Sequence, residues 1–214
     1  MLEKIDLFRS LKPEDVRELE GKASPVAYTK GTMLIWEGHQ PDWLYVIEEG
    51  KVQVFSTDAV GHEVIFGLLG PGECFGELAL LDDCERSASV KAVTDCRVWK
   101  LSKEAFQECC QRHPGIYPAV VAGLVERIRA LNEGIKQFAL LNVRDRIIKT
   151  LIRLSRRGNE SRVVDYRPTH QELASMVGAS REMVTKTLKE LAAEGYITVD
   201  AERIIIHRTL DQLG

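Results

Sequence analysis

Seven apolar residues, Tyr117, Val121, Leu124, Ile128, Leu131, Ile135 and Phe138, follow one another at alternating spacings of four and three. That is an unbroken a/d stripe over about three heptads. A helix carrying it has one narrow apolar face to cover. Polar neighbours such as Glu126, Arg127, Arg129 and Glu133 flank the stripe, which marks a seam rather than the broad apolar face of a helix packed on its own domain. Gly123 and Gly134 each weaken such a helix by about 1 kcal/mol relative to alanine. A second copy of the chain, in a two-stranded coiled coil, is the expected partner; packing on its own domain is the alternative. Pro118 lies near the helix start, where its missing amide does little harm.

The text on either side of this helix differs in kind. From Ser24 to about Lys100 it consists of short β-type runs punctuated by glycine. Leu44 to Ile47 precedes Glu49-Gly50, Lys51 to Phe55 alternates, Val64 to Phe66 precedes Gly67, and Pro71-Gly72 marks a turn. Many short strands with regular turn signals imply a barrel or sandwich. A helix over Lys12 to Gly21, with Pro13 in its first turn, leads in. Beyond the seam, a hinge near Asn142 to Arg146 opens a second, helical domain. The expected division is 1–115, 116–141 and 142–214.

In that last segment Thr169-His170-Gln171-Glu172 is a capping box, so a helix starts there. Leu173, Ala174 and Val177 form its inner face, Gly178 makes a turn, and Ser180 caps a second helix with Val184, Leu188 and Leu191 buried. This is a helix–turn–helix pattern. Tyr196 to Val199 and Arg203 to His207 read as a hairpin turned at Asp200-Ala201, a wing. The exposed start of the second helix carries Arg181, Glu182, Thr185, Lys186 and Lys189, the kind of cluster a recognition helix presents to base edges. Arg181 suits guanine O6/N7 and Glu182 suits cytosine N4. Lys186 suits a guanine or a phosphate, and Lys189 the backbone. Thr169, Gln171 and Ser180 complete the candidate DNA contacts. The bland alternative is a solvated helix face.

The stretch Phe75 to Val90, FGELALLDDCERSASV, offers a small anion with a sugar attached everything it needs. Gly76 lets backbone approach closely, and Glu77 accepts from a ribose hydroxyl. Arg86 matches a phosphate with a planar fork of donors, and Ser87 adds a hydroxyl. The run GELAL is fit to start a short helix whose amides favour an anion. A surface turn with an Arg–Glu pair is the bland alternative.

This string resembles the phosphate-binding cassette of cyclic-nucleotide-binding domains, in the version carried by bacterial CRP/FNR-type transcription regulators. The resemblance runs from about Leu7 to Ile206. It implies an α+β chain: an N-terminal β-roll that binds a cyclic nucleotide, a long dimerisation helix, and a C-terminal winged helix–turn–helix. It implies that Gly76, Glu77, Leu78, Arg86, Ser87 and Ala88 hold the ribose and cyclic phosphate, with cAMP as the first choice of effector. The string GASREMVTKTLKEL resembles the recognition region of the family's cAMP-receptor branch, which assigns Arg181 and Glu182 to bases. Lys186 stands where that branch has a second arginine and lacks its fork. Leu131 and Asn132 occupy the positions where that branch meets the purine with a threonine–serine pair. Leu131 can only pack on a base, while the Asn132 amide can bond an adenine or a guanine edge. cGMP, a cyclic dinucleotide, or a constitutive protein with a vestigial pocket stay open. The implied partners are double-stranded DNA, at a pseudo-palindrome related to TGTGA/TCACA, a second copy of the chain, and RNA polymerase.

Charge agrees with that division. Residues 144–214 hold 13 basic and 10 acidic side chains, leaving 16 basic and 22 acidic in the rest. A basic rear half on an acidic front half suits a sensor joined to a nucleic-acid reader. Cys74, Cys84, Cys96, Cys109 and Cys110 show no metal-ligand spacing, so no metal is expected. Redox control through Cys109-Cys110 is a lesser alternative. No nucleophile–base pairing marks an enzyme, and no catalytic residue is assigned. Leu2 to Leu11 is too charged for a signal peptide or a membrane span, which makes the cytoplasm the expected location and leaves no membrane partner.

Overall fold

A computed structural model describes residues 11–40, 42–78, 84–158 and 161–207, apart from the side chains of residues 119, 126, 127 and 130. Most of the stretch from Leu2 to Leu11 lies outside the described residues, as do the flanking side chains of Glu126 and Arg127 and the Ala79-Leu80 end of GELAL. The chain divides into two compact units, Met1–Ala130 and Leu131–Gly214.

The first unit opens with helix α1 (Pro13–Lys22), which has proline at its start, Glu14 and Asp15 in the first turn and Lys22 in the last. Each of these complements the helix dipole or its unpaired amides. Among the described residues, eight strands follow: β1 (Ser24–Tyr28), β2 (Met33–Ile35), β3 (Trp43–Glu49), β4 (Val52–Thr57), β5 (Glu63–Leu69), β6 (Cys74–Phe75), β7 (Ser89–Ala92) and β8 (Cys96–Ser102). They pair antiparallel in two sheets of order β1-β8-β3-β6 and β2-β7-β4-β5. Strand β3 shows how the sequence builds this roll. Its apolar run is buried on both faces, because side chains alternate sides along a strand. Tyr45 and Ile47 join Val52, Val54, Phe75, Val90 and Val98 inside the roll. Leu44 and Val46 point the other way, into a core with Val16, Leu19, Phe106, Cys109, Ile116 and Val120.

That second core is closed by α2 (Lys103–Arg112), capped by the Ser102 hydroxyl at 3.1 Å from the Ala105 amide, and by the start of α3 (Ile116–Leu140). His113, just past α2, sets its two ring nitrogens against Asp15 and Glu18 of α1. Arg112 reaches Glu18 at 2.8 Å. Cys109 and Cys110 are fully buried here. Burial pushes both thiols up, and the Cys109 neighbour adds to the rise at Cys110, to about 11. Since the thiolate is the reactive form, this packing argues against a redox role for the pair.

Helix α3 carries the predicted stripe. Tyr117, Val121, Ile128, Leu131, Ile135 and Phe138 are 47–66% exposed. Leu124 departs from the rest: it is half-buried against the domain's own core, in line with Ile116 and Val120 at helical spacing. Val125 and Leu140, outside the stripe, are exposed as well.

The second unit continues with α4 (Val143–Leu154), capped by Asn142, whose side chain accepts from the Asp145 amide at 3.0 Å. Strands β9 (Arg156–Arg157) and β10 (Ser161–Val164) lead to α5 (His170–Val177), α6 (Arg181–Ala193), β11 (Ile197–Val199) and β12 (Ile204–His207). The expected wing hairpin is present as β11 and β12. It belongs to a four-stranded sheet of order β11-β12-β10-β9, so β10 extends the wing beyond the sequence expectation, pairing Val163 with Ile205. The capping box forms as read: the Thr169 hydroxyl accepts from the Glu172 amide at 3.1 Å and the Glu172 carboxylate accepts from the Thr169 amide at 2.6 Å. Gly178 adopts φ +60° in the turn, and a Cβ there would lie 3.0 Å from the Phe138 ring.

Candidate functional site

The cassette is organised around a buried arginine. Arg86 is 7% exposed and Glu77 4%. The Arg86 backbone is held from both sides by the loop after β2, its amide donating to the His39 carbonyl and its carbonyl accepting from the Gly38 amide, both at 2.9 Å. Its guanidinium donates through Nη1 to the Gly76 carbonyl at 3.1 Å and through Nη2 to the Trp43 carbonyl at 2.8 Å. Two of its five N–H donors are thus committed to backbone, which fixes the plane of the fork. Burial pulls the guanidinium pKa down, and the charges of Tyr45, Asp42 and Glu77 oppose that fall.

Gly76 has a second reason to be glycine. Its φ is +81°, and a Cβ would stand 2.6 Å from Arg86 Nη1 and 3.0 Å from the Trp43 carbonyl. The space that glycine leaves is filled by the arginine itself, not only reserved for a ligand.

Gly76, Glu77, Leu78, Arg86, Ser87 and Ala88 come together around one cavity of about 130 Å³. Ile35, Val54, Phe75 and Val90 form its apolar wall, and Cys84 and Glu85 also line it. A buried fork of donors, a carboxylate and a hydroxyl over an apolar wall can hold a small anion and orient an attached ring. Several of these residues were not singled out in the sequence. Trp43 acts through its carbonyl, and Ser89, whose hydroxyl accepts from the Glu37 amide at 3.0 Å, ties the neighbouring loop to β7. The apolar wall had a signal, since Ile35, Val54, Phe75 and Val90 all lie in strand-like runs. Leu131 and Asn132 lie exposed on α3 in the second unit, whereas the cavity belongs to the first.

In the second unit, Arg181, Glu182, Thr185, Lys186 and Lys189 line one open groove along α6. Arg181, Glu182, Lys186 and Lys189 are exposed. The Ser180 hydroxyl oxygen accepts from the Met183 amide at 3.2 Å, which caps α6. Thr185 is turned inward: its hydroxyl donates to the Arg181 carbonyl at 2.8 Å and meets His170. The Glu182 carboxyl is held below its ordinary value by its own backbone amide, then by Ser180 and Arg181. Thr169 and Gln171 border a neighbouring cleft with Arg167, His170 and Arg181. Among the described residues, no group of three or more His, Cys, Asp or Glu side chains is placed to hold a metal ion, and no helix is long and apolar enough to cross a membrane.

A β-roll with a buried arginine cassette, followed in the chain by a winged helix–turn–helix, defines a transcription regulator with a nucleotide-binding and a DNA-binding domain. Residues 25–113 match the model of the cyclic nucleotide-binding domain, and residues 145–213 match the Crp-like helix-turn-helix domain. The cyclic AMP receptor protein of Thermus thermophilus is 35% identical over 191 residues, 89% of this chain and 87% of that protein. A CRP-like cAMP-activated global transcriptional regulator of Mycobacterium tuberculosis is 29% identical over 96% of this chain and 94% of its own length. Among solved structures, the c-di-GMP responsive global regulator CLP of Xanthomonas campestris superposes with a TM-score of 0.78 at 25% identity, covering 92% of this chain and 99% of that one. The chain belongs to the CRP/FNR family of transcription regulators.

The Gly76–Arg86 contact is testable without any ligand. Gly76→Ala should destabilise the protein by about 2 kcal/mol, combining backbone strain with the clash. In an Arg86→Ala background the same substitution should cost about 1 kcal/mol less, because the closest atom is gone. Urea unfolding of the four proteins measures the coupling, and strictly additive effects would contradict the geometry.

Proposed function

We propose that the protein is a homodimeric regulator in which a cyclic nucleotide, cAMP first, binds the Arg86 cassette and alters affinity for a pseudo-palindromic DNA operator. The observation that carries this reading is the buried, pre-oriented Arg86 fork over a small cavity that also holds Glu77, Ser87 and the Gly76 backbone. In this reading Arg86 and Ser87 hold the cyclic phosphate, Glu77 the ribose hydroxyl, and Gly76, Leu78 and Ala88 the walls. Leu131 packs on the base and Asn132 bonds its edge. Because Asn132 suits guanine as well as adenine, and CLP is described as responsive to c-di-GMP, cGMP and a cyclic dinucleotide form the second reading. We assign 1–115 to nucleotide binding, 116–141 to dimerisation and 142–214 to DNA binding.

The exposed stripe on α3 supports a second copy as its occupant, since six large apolar side chains in heptad register would otherwise stay in water. A two-fold dimer then places two α6 helices in major grooves one helical turn, about 34–36 Å, apart. Arg181 and Glu182 read neighbouring G·C pairs, each good contact contributing about 1–3 kcal/mol of discrimination. Lys186 and Lys189 act more through phosphates. RNA polymerase is the expected downstream partner, and the cytoplasm the place where all three meet.

Ile128→Lys with Ile135→Lys changes only exposed positions, so the fold should survive while the protein sediments as a monomer. Selection from random duplexes should return a two-fold site for the wild type and none for the double variant. Glu182→Ala should lose preference at one symmetric base pair. A stable dimer in the double variant, or an unchanged profile for Glu182→Ala, would refute these assignments.

Linkage supplies a separate test of coupling. If cAMP changes operator affinity by some factor, operator DNA must change cAMP affinity by the same factor. Nucleotide titrations with and without operator, at one salt concentration, should therefore differ. Equal affinities would rule the coupling out.

A further inference from the structure

His170 is absent from the contacts assigned above, yet it sits among them. It borders the cleft formed with Arg167, Thr169, Gln171 and Arg181. Its Nδ1 lies 2.7 Å from the Thr185 hydroxyl, and that hydroxyl donates its one proton to the Arg181 carbonyl. Thr185 therefore accepts from His170, so the neutral ring carries its proton on Nδ1. Nε2 is the nitrogen that gains a second proton.

The surroundings of the ring are cationic. Arg167 faces it from the preceding loop, and Arg181 and Lys189 from α6. Two carboxylates on neighbouring segments are held by other donors. Glu172, on its own helix, accepts from the Thr169 amide and the Tyr166 hydroxyl. Asp200, in the wing turn, accepts from the amides of Glu202 and Arg203 and from the Arg203 side chain. Burial, then the charges of Arg167, Arg181 and Lys189, hold the His170 pKa below its ordinary value. A DNA backbone reverses the sign of this environment, because each phosphate brings a negative charge into the cluster.

We propose that His170 is a proton-linked backbone contact: docking of duplex DNA adds a proton from solvent to Nε2, and the resulting imidazolium donates to a phosphate. This rests on the DNA-binding reading. The DNA-bound form has the higher proton affinity, so DNA affinity rises as pH falls through the bound-state pKa. It levels off below the free-state pKa, where both forms are protonated.

The test uses the full-length protein and a duplex carrying TGTGA and TCACA half-sites. Affinity is measured by fluorescence anisotropy at constant salt between about pH 5.5 and 8.5, with calorimetry in two buffers of different ionisation enthalpy. The wild type should gain affinity by up to about tenfold per pH unit for each His170 that takes up a proton, and its binding heat should depend on the buffer. His170→Gln should lose that share of the pH slope and of the buffer dependence. His170→Arg, with a permanent cation, should bind tightly with the same flattened slope. Wild type and His170→Gln showing equal slopes and equal proton uptake would overturn the proposal while leaving DNA binding intact. No binding at any pH would overturn the DNA-binding reading and this proposal together.

Discussion

The guanidinium of Arg86, tied to the carbonyls of Gly76 and Trp43, is the interaction on which the nucleotide-binding half depends. A buried cation is costly unless its donors are satisfied, and here backbone oxygens from two different strand ends supply the partners. The same bonds fix the plane of the fork. Pre-organisation of this kind saves the ordering cost that a mobile side chain incurs on binding. It also explains the local sequence: glycine at position 76 leaves room for Nη1, and the antiparallel pairing of Tyr45 with Phe75 brings the Trp43 carbonyl and Gly76 side by side.

In the second unit, Arg146 has a comparable role. It donates to the Val177 carbonyl at 2.9 Å and to the Leu141 carbonyl at 3.1 Å, and its guanidinium lies 5.3 Å from the Phe138 ring centre. Phe138 in turn packs on Gly178 in the helix–turn–helix turn. The last turn of α3 is thereby fastened to the turn between α5 and α6.

How much of this was legible depended on range. Thr169 and Glu172 announce their capping box because the partners are three residues apart. The apolar stripe was legible from spacing, but the half-burial of Leu124 was not: the core it packs against is built from residues distant in sequence. The cassette string named residues that line one cavity, while the reason for Gly76 needed the position of Arg86 ten residues on. Strand β9 escaped because a run of two residues carries no readable periodicity. His170 reads as filler inside a capping box, and only Thr185, fifteen residues later, shows its tautomer. Cys109-Cys110 invited a redox reading that burial opposes.

Arg86 is proposed as the anchor of a cyclic nucleotide. Calorimetric titration of cAMP, cGMP and c-di-GMP into wild type and Arg86→Leu, with circular dichroism to confirm that both are folded, tests it most directly. One nucleotide should bind the wild type, and Arg86→Leu should bind it at least tenfold more weakly, a loss of about 1.4 kcal/mol or more. Unchanged affinity in a folded Arg86→Leu protein would contradict it.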